Sequence, residues 1–346
     1  MNYNWTLKDA IFTKDKGKVF SCFACGGGST MGYKLAGFDV IGHNDIDAKM
    51  VEVYKENHKP KFSYLESITT FAKRKDLPKE LYELDILDGS PPCSSFSMAG
   101  NREKDWGKEK KFREGQELQV LDTLFFDFID LAKELQPKVV VAENVKGLLL
   151  GEAKKYVIEI YKAFDKAGYT CQHFLLNASK MGVPQRRERV FFIALRKDLA
   201  PNFMEYVDMF KVAPKLKLEF YEPEICFENI KEKDAKREKV PDSYIKHWEN
   251  ADKTGRAKAE SGNTFGFFYK ALNRLSLATI TSGGSYAIED SAELMTDLEF
   301  CKGGSYPVDY NFLGNKAQYL IGMSVPPLMT GKIAEQIYKQ WLSKLF

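Results

Sequence analysis

The chain has few features of a membrane or disulfide-bonded protein. None of its apolar runs approaches the length of a membrane-spanning helix, and no secretory leader is recognised at its amino terminus. Its six cysteines are scattered, and the pair Cys22 and Cys25 is followed by no second pair or histidine at zinc-binding spacing. We therefore expect a reduced, cytoplasmic protein with no metal site and no membrane partner.

The excess of positive over negative charge is also small. The net charge of +3 is too small to indicate nucleic-acid binding by itself. Lysine and arginine cluster at 102–113 and again at 231–258, but each cluster taken alone is more typical of a solvated surface. With 346 residues, 44% of them hydrophobic, the chain is long enough for one large domain or two.

Alternating apolar segments are abundant. Strands are predicted at 18–23, 38–42, 84–87, 138–142 and 190–195, and helices at 118–135, 152–166 and 329–345. This alternation predicts an α/β fold with a mostly parallel, doubly wound sheet. From about Lys197 to Phe312 the alternation fades and turn glycines increase, which predicts a separate, smaller domain of irregular β structure.

A glycine-rich turn follows the first predicted strand. Gly26-Gly27-Gly28 ends that strand, and Asp45 follows Gly26 by nineteen residues, beyond the second strand. This order is typical of a nucleotide-binding, Rossmann-like unit, in which the acid accepts hydrogen bonds from the ribose. The strict G-x-G-x-x-G pattern is absent, so a dinucleotide is not indicated. Taken alone, the glycines are equally compatible with a simple tight turn.

Cys93 follows two prolines at the end of another predicted strand. Proline cannot continue the ladder of a strand, so Pro91 and Pro92 force the chain to turn directly after 84–87. Open α/β sheets bind their ligands at the carboxyl ends of their strands. A thiol on a rigid corner at this edge is typical of a nucleophile rather than of a core residue.

Six segments in order resemble the 5-methylcytosine DNA methyltransferase family. They are Phe23–Gly28, Pro92–Ser97, Thr123–Phe126, Glu143–Gly147, Gln185–Arg189 and Gly322–Pro327. The resemblance covers most of the chain, and the combined order and spacing are highly specific. It implies a Rossmann-like class I methyltransferase domain at 1–196 with 313–346, and a target-recognition domain at 197–312.

The resemblance implies methyl transfer to carbon 5 of a cytosine in double-stranded DNA. That carbon is a poor nucleophile until a thiolate adds at carbon 6, the role implied for Cys93. Glu143 would protonate or hydrogen-bond ring nitrogen 3, and Arg189, with Arg187 beside it, would hold the carbonyl oxygen. The duplex hides carbon 6, so the base would be flipped out. The implied substrate contacts are Ser97, Asn144, Gln185 and Thr279.

The methyl donor implied by the resemblance is S-adenosyl-L-methionine. Phe23 and Leu124 would enclose its adenine. Asp45 would accept hydrogen bonds from its ribose hydroxyls, and Ser324 would contact its methionine end. The implied cofactor-binding residues are Phe23, Gly26, Gly28, Asp45, Ile46, Ile68, Pro92, Leu124 and Ser324. The chain departs from the family at Cys25, where glycine is usual, at Ser67, where an acid is common, and at Met323, where asparagine is usual.

Two alternatives to a DNA methyltransferase stay open. The segment Ser90–Cys93 also resembles the transfer-RNA cytosine methyltransferases, although their Cys-Phe-Thr signature is absent and 197–312 is large. A catalytically silent, DNA-binding relative is the alternative from another class. As a DNA methyltransferase the chain would be a monomer associated with the nucleoid. It would act alone or in a restriction-modification system, with a cognate restriction endonuclease working separately.

Overall fold

The computed structural model describes residues 1–92, 109–110, 119–120, 123–151, 153–208, 211–257 and 267–345. Within this part the chain forms two compact units. The first, here called the sheet unit, comprises Phe12–Leu176, Glu188–Glu219 and Gly331–Phe346. The second unit comprises Met1–Ile11, Asn177–Arg187 and Phe220–Thr330.

Seven strands form the central sheet. They are β1 (Lys18–Cys22), β2 (Asp39–Asp45), β3 (Phe62–Leu65), β4 (Ile86–Gly89), β5 (Val139–Val145), β6 (Tyr169–Asn177) and β7 (Glu188–Arg196). Their order is β3-β2-β1-β4-β5-β7-β6. Neighbours from β3 to β5 run parallel, and β7 is antiparallel to β5. The predicted α/β fold with a mostly parallel sheet is confirmed.

Helices connect the parallel strands. They are α1 (Gly28–Leu35), α2 (Ala48–His58), α3 (Ile68–Phe71), α4 (Leu124–Leu135) and α5 (Ala153–Lys166). The helix predicted over 118–135 begins at Leu124 and ends at Leu135, and the next residue, Gln136, has a φ of 50° that leaves the helical region before Pro137. A hairpin of β8 (Met204–Asp208) and β9 (Lys211–Pro214) follows β7. No helix in the described ranges combines the length and the apolarity that crossing a membrane requires.

The apolar stripe of α4 packs on the sheet. Phe125 lies edge-to-face against Phe192 of β7 with ring centroids 5.6 Å apart. Phe128, also fully buried, lies so close to β4 that a Cβ on Gly89 would meet its ring at 2.5 Å. Burying each such side chain stabilises the fold by about 1.5–3 kcal/mol. This packing fixes the carboxyl end of β4, from which Pro91 and Pro92 follow.

The described strands of the second unit are short. Its elements include α6 (Asp242–Glu249), β10 (Phe268–Ala271), β11 (Ser285–Ile288), α7 (Asp297–Gly303) and α8 (Ala317–Met323). Gln185–Arg186 and Leu277–Ala278 form a further short parallel pair. Pro327 begins α9 (Pro327–Gln340), which continues into the sheet unit. Strands β10 and β11 pair in parallel. The guanidinium of Arg237 pairs with fully buried Glu299 at 2.6 Å and so compensates the burial of that carboxylate.

The compact units divide the chain elsewhere than at the predicted domain boundaries. The stretch 197–219 lies in the sheet unit, where the Lys215 carbonyl accepts a hydrogen bond from Trp341 Nε1 at 3.3 Å. Residues 177–187 and 313–330 lie in the second unit. There, for example, Gln185 Nε2 donates to the Gly303 carbonyl at 3.2 Å. The functional division into 1–196 with 313–346 and 197–312 stays a prediction.

Candidate functional site

Asn144 fixes the proline turn to the end of β5. Its side-chain amide is buried, donates from Nδ2 to the Pro91 carbonyl at 3.2 Å, and accepts at Oδ1 from the Val145 N–H at 2.8 Å. The chain entering the predicted nucleophile is thereby held at the carboxyl edge of the sheet. Cys93 and Ser97 themselves lie outside the described residues, and their predicted roles stay predictions.

Glu143 and Arg189 form an ion pair beside this turn. Glu143 lies opposite Phe191 in the β5–β7 ladder, and Arg189 lies opposite Val145, two residues further along β5. Arg189 Nε is 2.8 Å from Glu143 Oε1, and the two side chains are only 16% and 12% exposed. Burial lowers the pKa of Arg189, and the neighbouring Glu143 carboxylate opposes that shift. The pairing allows two charged groups to be buried at one strand end.

The glycine-rich turn adopts left-handed backbone conformations. Phe23, Cys25 and Gly27 have φ values of 52°, 49° and 82°. A Cβ on Gly27 would lie 2.2 Å from Nε2 of His58, so only glycine fits there. The Cys25 N–H donates to Asp45 Oδ2 at 2.7 Å, which ties the turn to the end of β2.

The residues of this edge fit S-adenosyl-L-methionine. Asp45 is partly exposed, and a carboxylate there suits the hydroxyls of a ribose. Gly26 and Gly28 present only backbone, while Phe23, Ile46 and Pro92 keep exposed surface. These residues would hold the cofactor.

Two of the predicted cofactor residues belong to the core instead of the surface. Leu124 and Ile68 are each 2% exposed and lie in the apolar cluster of the sheet unit. Leu124 carries the helical stripe that the sequence indicated. A contact of either residue with adenine stays a prediction.

Four predicted site residues lie in the second unit, and their described polar contacts are with other residues of that unit. Gln185 bonds the Gly303 carbonyl and the Ile280 N–H through the two ends of its amide. Arg187 donates to the carbonyls of Ile280 and Gly322 at 2.9 and 3.1 Å. The Thr279 hydroxyl donates to the Arg186 carbonyl at 2.7 Å.

Ser324 is the fourth of these residues. Its hydroxyl donates to the Leu320 carbonyl at 2.8 Å and accepts from the Tyr306 hydroxyl at 2.7 Å. These contacts stabilise the second unit. The predicted contacts of Gln185, Arg187, Thr279 and Ser324 with substrate or cofactor stay predictions.

Of the three departures from the family pattern, the structure explains the one at Ser67. Ser67 caps α3, since its hydroxyl accepts from the Thr70 N–H at 3.1 Å. Cys25 is buried in a left-handed conformation that glycine adopts at lower free energy. Met323 ends α8, and nothing in its surroundings explains the replacement of asparagine.

One polar group near the site escaped the sequence analysis. Asp88 of β4 is 4% exposed and accepts hydrogen bonds from the hydroxyls of Ser21, Ser29 and Tyr33 at 2.8, 2.7 and 3.1 Å. Burial raises its pKa to about 6, although the hydroxyl donors oppose this shift. An acid within the apolar segment 86–89 was the available signal, because an isolated buried carboxylate is unfavourable without partners.

Known proteins match this chain over most of its length. The family described as C-5 cytosine-specific DNA methylase matches residues 17–339. The type II methyltransferase M.FnuDI of Fusobacterium nucleatum is 37% identical over 189 residues, which are 55% of this chain and 50% of the relative. M1.HphI of Haemophilus parahaemolyticus is 28% identical over 331 residues, 92% of this chain and 85% of the relative.

Solved structures share the fold. A structure described as a putative DNA modification methyltransferase encoded within a prophage of E. coli has a TM-score of 0.63 at 19% identity. The match covers 93% of this chain and 98% of that one. The S. pombe Dnmt2 methyltransferase has a TM-score of 0.62 at 15% identity, and the match covers 95% of this chain and 99% of that one.

Coverage of the relatives differs. The chain matches only half the length of M.FnuDI and of M.NgoPII from Neisseria gonorrhoeae, which is 37% identical over 190 residues, 54% of this chain. The family match itself extends through both compact units, from before β1 to the last turn of α9. The chain belongs to the C-5 cytosine-specific DNA methylase family.

Proposed function

We propose that this chain transfers a methyl group from S-adenosyl-L-methionine to carbon 5 of cytosine in DNA. The observation that carries the proposal is the Glu143–Arg189 pair, 2.8 Å apart beside the Asn144–Pro91 hydrogen bond. A carboxyl group and a guanidinium meet there at the carboxyl end of β5, the strand that pairs with β4, and β4 leads to Cys93. Membership of the family supports the same reaction.

The thiolate of Cys93 adds to carbon 6 of the cytosine and forms an S–C6 bond. The electron pair of the C5=C6 bond then makes carbon 5 nucleophilic. The cofactor, when bound, supplies a methyl group on a positively charged sulfur that leaves as a neutral thioether. After the methyl group has been transferred, a base such as water removes the carbon 5 proton, the C5=C6 bond re-forms, and the S–C6 bond breaks to release Cys93 as a thiolate.

Glu143 acts on ring nitrogen 3 of the base. Its carboxyl group donates a proton or a hydrogen bond there, which draws electrons from carbon 6 and favours addition of the thiolate. Arg189 contacts Glu143 through Nε at 2.8 Å, and its Nη1 donates to the Glu188 carbonyl at 2.8 Å. The guanidinium therefore orients Glu143 and offers its Nη2 side to the cytosine carbonyl oxygen.

The cytosine reaches Cys93 only after it leaves the duplex, because stacking hides carbon 6. We propose residues 197–312 as the target-recognition domain that reads the bases around it. The names of the relatives favour a restriction-modification role, since M.FnuDI and M.NgoPII are type II methyltransferases. A cognate endonuclease would then act as a separate protein. We propose that the methyltransferase works as a monomer in the cytoplasm.

A 5-fluorocytosine substrate tests this function. Fluorine at carbon 5 cannot leave as a proton does, so the S–C6 adduct is trapped after methyl transfer. The full chain is incubated with S-adenosyl-L-methionine and 5-fluorocytosine in duplex DNA or in RNA, and adducts are identified by denaturing electrophoresis and mass spectrometry. We expect an adduct with DNA that maps to Cys93 and is absent from Cys93→Ala.

The same assay separates the alternatives. An adduct with RNA alone would establish the transfer-RNA alternative. Adduct formation with neither polymer, in a preparation that binds DNA, would establish a silent DNA-binding relative. Because a trapped adduct requires the recognition sequence, the oligonucleotides are chosen after bisulfite sequencing of DNA from cells that express the chain.

A further inference from the structure

We propose that Asp88 is a positioning residue for the cofactor: its carboxylate fixes the glycine-rich turn to the strand that leads into Pro91 and Pro92. This inference rests on the proposed function. It concerns a residue within the sheet unit that belongs to none of the segments resembling the family.

The carboxylate joins three elements. Asp88 lies directly opposite Ser21 in the parallel β1–β4 ladder, and the Ser21 hydroxyl donates to its Oδ2. From α1, the Ser29 hydroxyl donates to the same oxygen, and the Tyr33 hydroxyl donates to Oδ1. One side chain thus connects β4 with the strand before the glycine-rich turn and with the helix after it.

The position of these donors in the chain is informative. Ser21 lies two residues before Phe23, where the left-handed turn begins, and Ser29 lies two residues after Gly27, where it ends. Both ends of the turn are therefore held by one carboxylate. On the other side, Asp88 precedes Gly89, whose approach to Phe128 fixes the end of β4.

The chemistry of the group fits positioning. The hydrogen-bond partners of Asp88 in the described part of the chain are hydroxyls, not cations. An aliphatic residue at this position of β4 would pack against β1 and α1 without the desolvation penalty of a carboxylate. A carboxylate that accepts three directional hydrogen bonds fixes the mutual orientation of its donors more sharply than apolar packing does. The desolvation free energy of the buried carboxylate is offset by the fixed orientation that it gives the glycine-rich turn relative to the turn at Pro91 and Pro92.

Asp85 provides a matched control. It directly precedes the amino end of β4, is 6% exposed, and accepts two hydrogen bonds, from the Lys18 N–H at 2.7 Å and from Lys138 Nζ at 2.8 Å. Asp85 is therefore a comparable buried carboxylate that touches neither turn. Asp85→Asn removes a buried charge next to the amino end of β4, and Asp88→Asn removes one near its carboxyl end.

The experiment measures the affinity of both variants and the wild type for S-adenosyl-L-homocysteine by calorimetry, and KM for S-adenosyl-L-methionine and kcat at saturating cofactor. Unfolding by urea first verifies that each variant is folded. We expect Asp88→Asn to raise Kd and KM about tenfold, the equivalent of one charge-assisted hydrogen bond, and Asp85→Asn to change them less than about twofold. The kcat at saturating cofactor should fall less than KM rises.

Equal Kd values for the two variants in an active wild-type background would overturn the inference and leave the proposed function intact. A wild type that binds no S-adenosyl-L-homocysteine would overturn both. If Asp88→Asn does not fold, Ser29→Ala and Tyr33→Phe each remove one hydroxyl donor and keep the carboxylate. A raised Kd in both would support the inference, and an unchanged Kd in both would overturn it.

Discussion

Arg189 Nε contacts Glu143 Oε1 at 2.8 Å across the antiparallel β5–β7 ladder, with both side chains largely buried. The contact engages one oxygen of the Glu143 carboxylate. Because β7 is antiparallel to its neighbour β5, the start of β7 lies at the carboxyl end of β5. The strand reversal is thus what places the arginine beside the glutamate.

Glu143→Gln should lower kcat by about a hundredfold or more, because an amide cannot supply a proton to ring nitrogen 3. Initial rates of tritiated methyl transfer at saturating DNA and cofactor give the comparison. Glu188→Gln is the control, since Glu188 forms an exposed pair with Lys146 at 2.9 Å, and such pairs contribute less than about 1 kcal/mol. If the two substitutions lowered kcat equally, Glu143 would have no special role.

The glycine-rich turn offers a test of backbone strain. Cys25 has a φ of 49°, a region in which a side chain costs about 1–2 kcal/mol per residue. Cys25→Gly should therefore be more stable than Cys25→Ala by about 1 kcal/mol, although both lose the same buried sulfur. Urea unfolding of the two variants measures the difference. A more stable alanine variant would show that the turn relaxes without strain.

Five of the seven sheet strands and the glycine-rich turn were predicted from the sequence, because apolar runs and turn residues are local signals. Strands β3 and β6 were not predicted. The partners of Asp88 were not, since Ser21, Ser29 and Tyr33 meet it only after β1 and β4 pair. The same holds for Gln185, whose sequence context indicated a substrate contact. Only the fold reveals that its amide bonds the backbone of Ile280 and Gly303.

Two buried histidines predict how stability depends on pH. Burial lowers the pKa of His43 to about 3 and that of His58 well below its ordinary value. The unfolded chain, with histidine pKa values near 6.5, then binds more protons than the native chain below that pH. Each histidine should lower the unfolding free energy by about 1.4 kcal/mol per pH unit as the pH falls below about 6.

Asp88 opposes this trend, because its pKa is raised to about 6 from 3.8 and its contribution to stability falls as the pH rises through that window. Two histidines outweigh one carboxyl, so stability should fall from pH 7 to pH 5. Urea unfolding at several pH values measures the slope. His43→Gln should reduce it, whereas Ser63→Ala removes the hydroxyl 2.8 Å from His43 Nε2 and should preserve it. Equal slopes in His43→Gln and the wild type would contradict this origin.

Gln185 separates a structural from a substrate-binding role. Its side chain is 1% exposed, and both ends of its amide bond backbone groups of the second unit. Gln185→Leu would leave a buried N–H and a buried carbonyl without these partners and should destabilise the chain by about 2–4 kcal/mol. Gln318→Leu is the control, because its amide also donates to backbone carbonyls, of Thr281, Gly283 and Gly284, but at a partly exposed position. Gln318→Leu should lower the free energy of unfolding by less than about 1 kcal/mol, since water replaces the lost partner.

DNA affinity at a fixed salt concentration is measured on the same preparations. A Gln185→Leu chain of wild-type stability that binds DNA less tightly would assign this residue to the substrate, as the family resemblance implied.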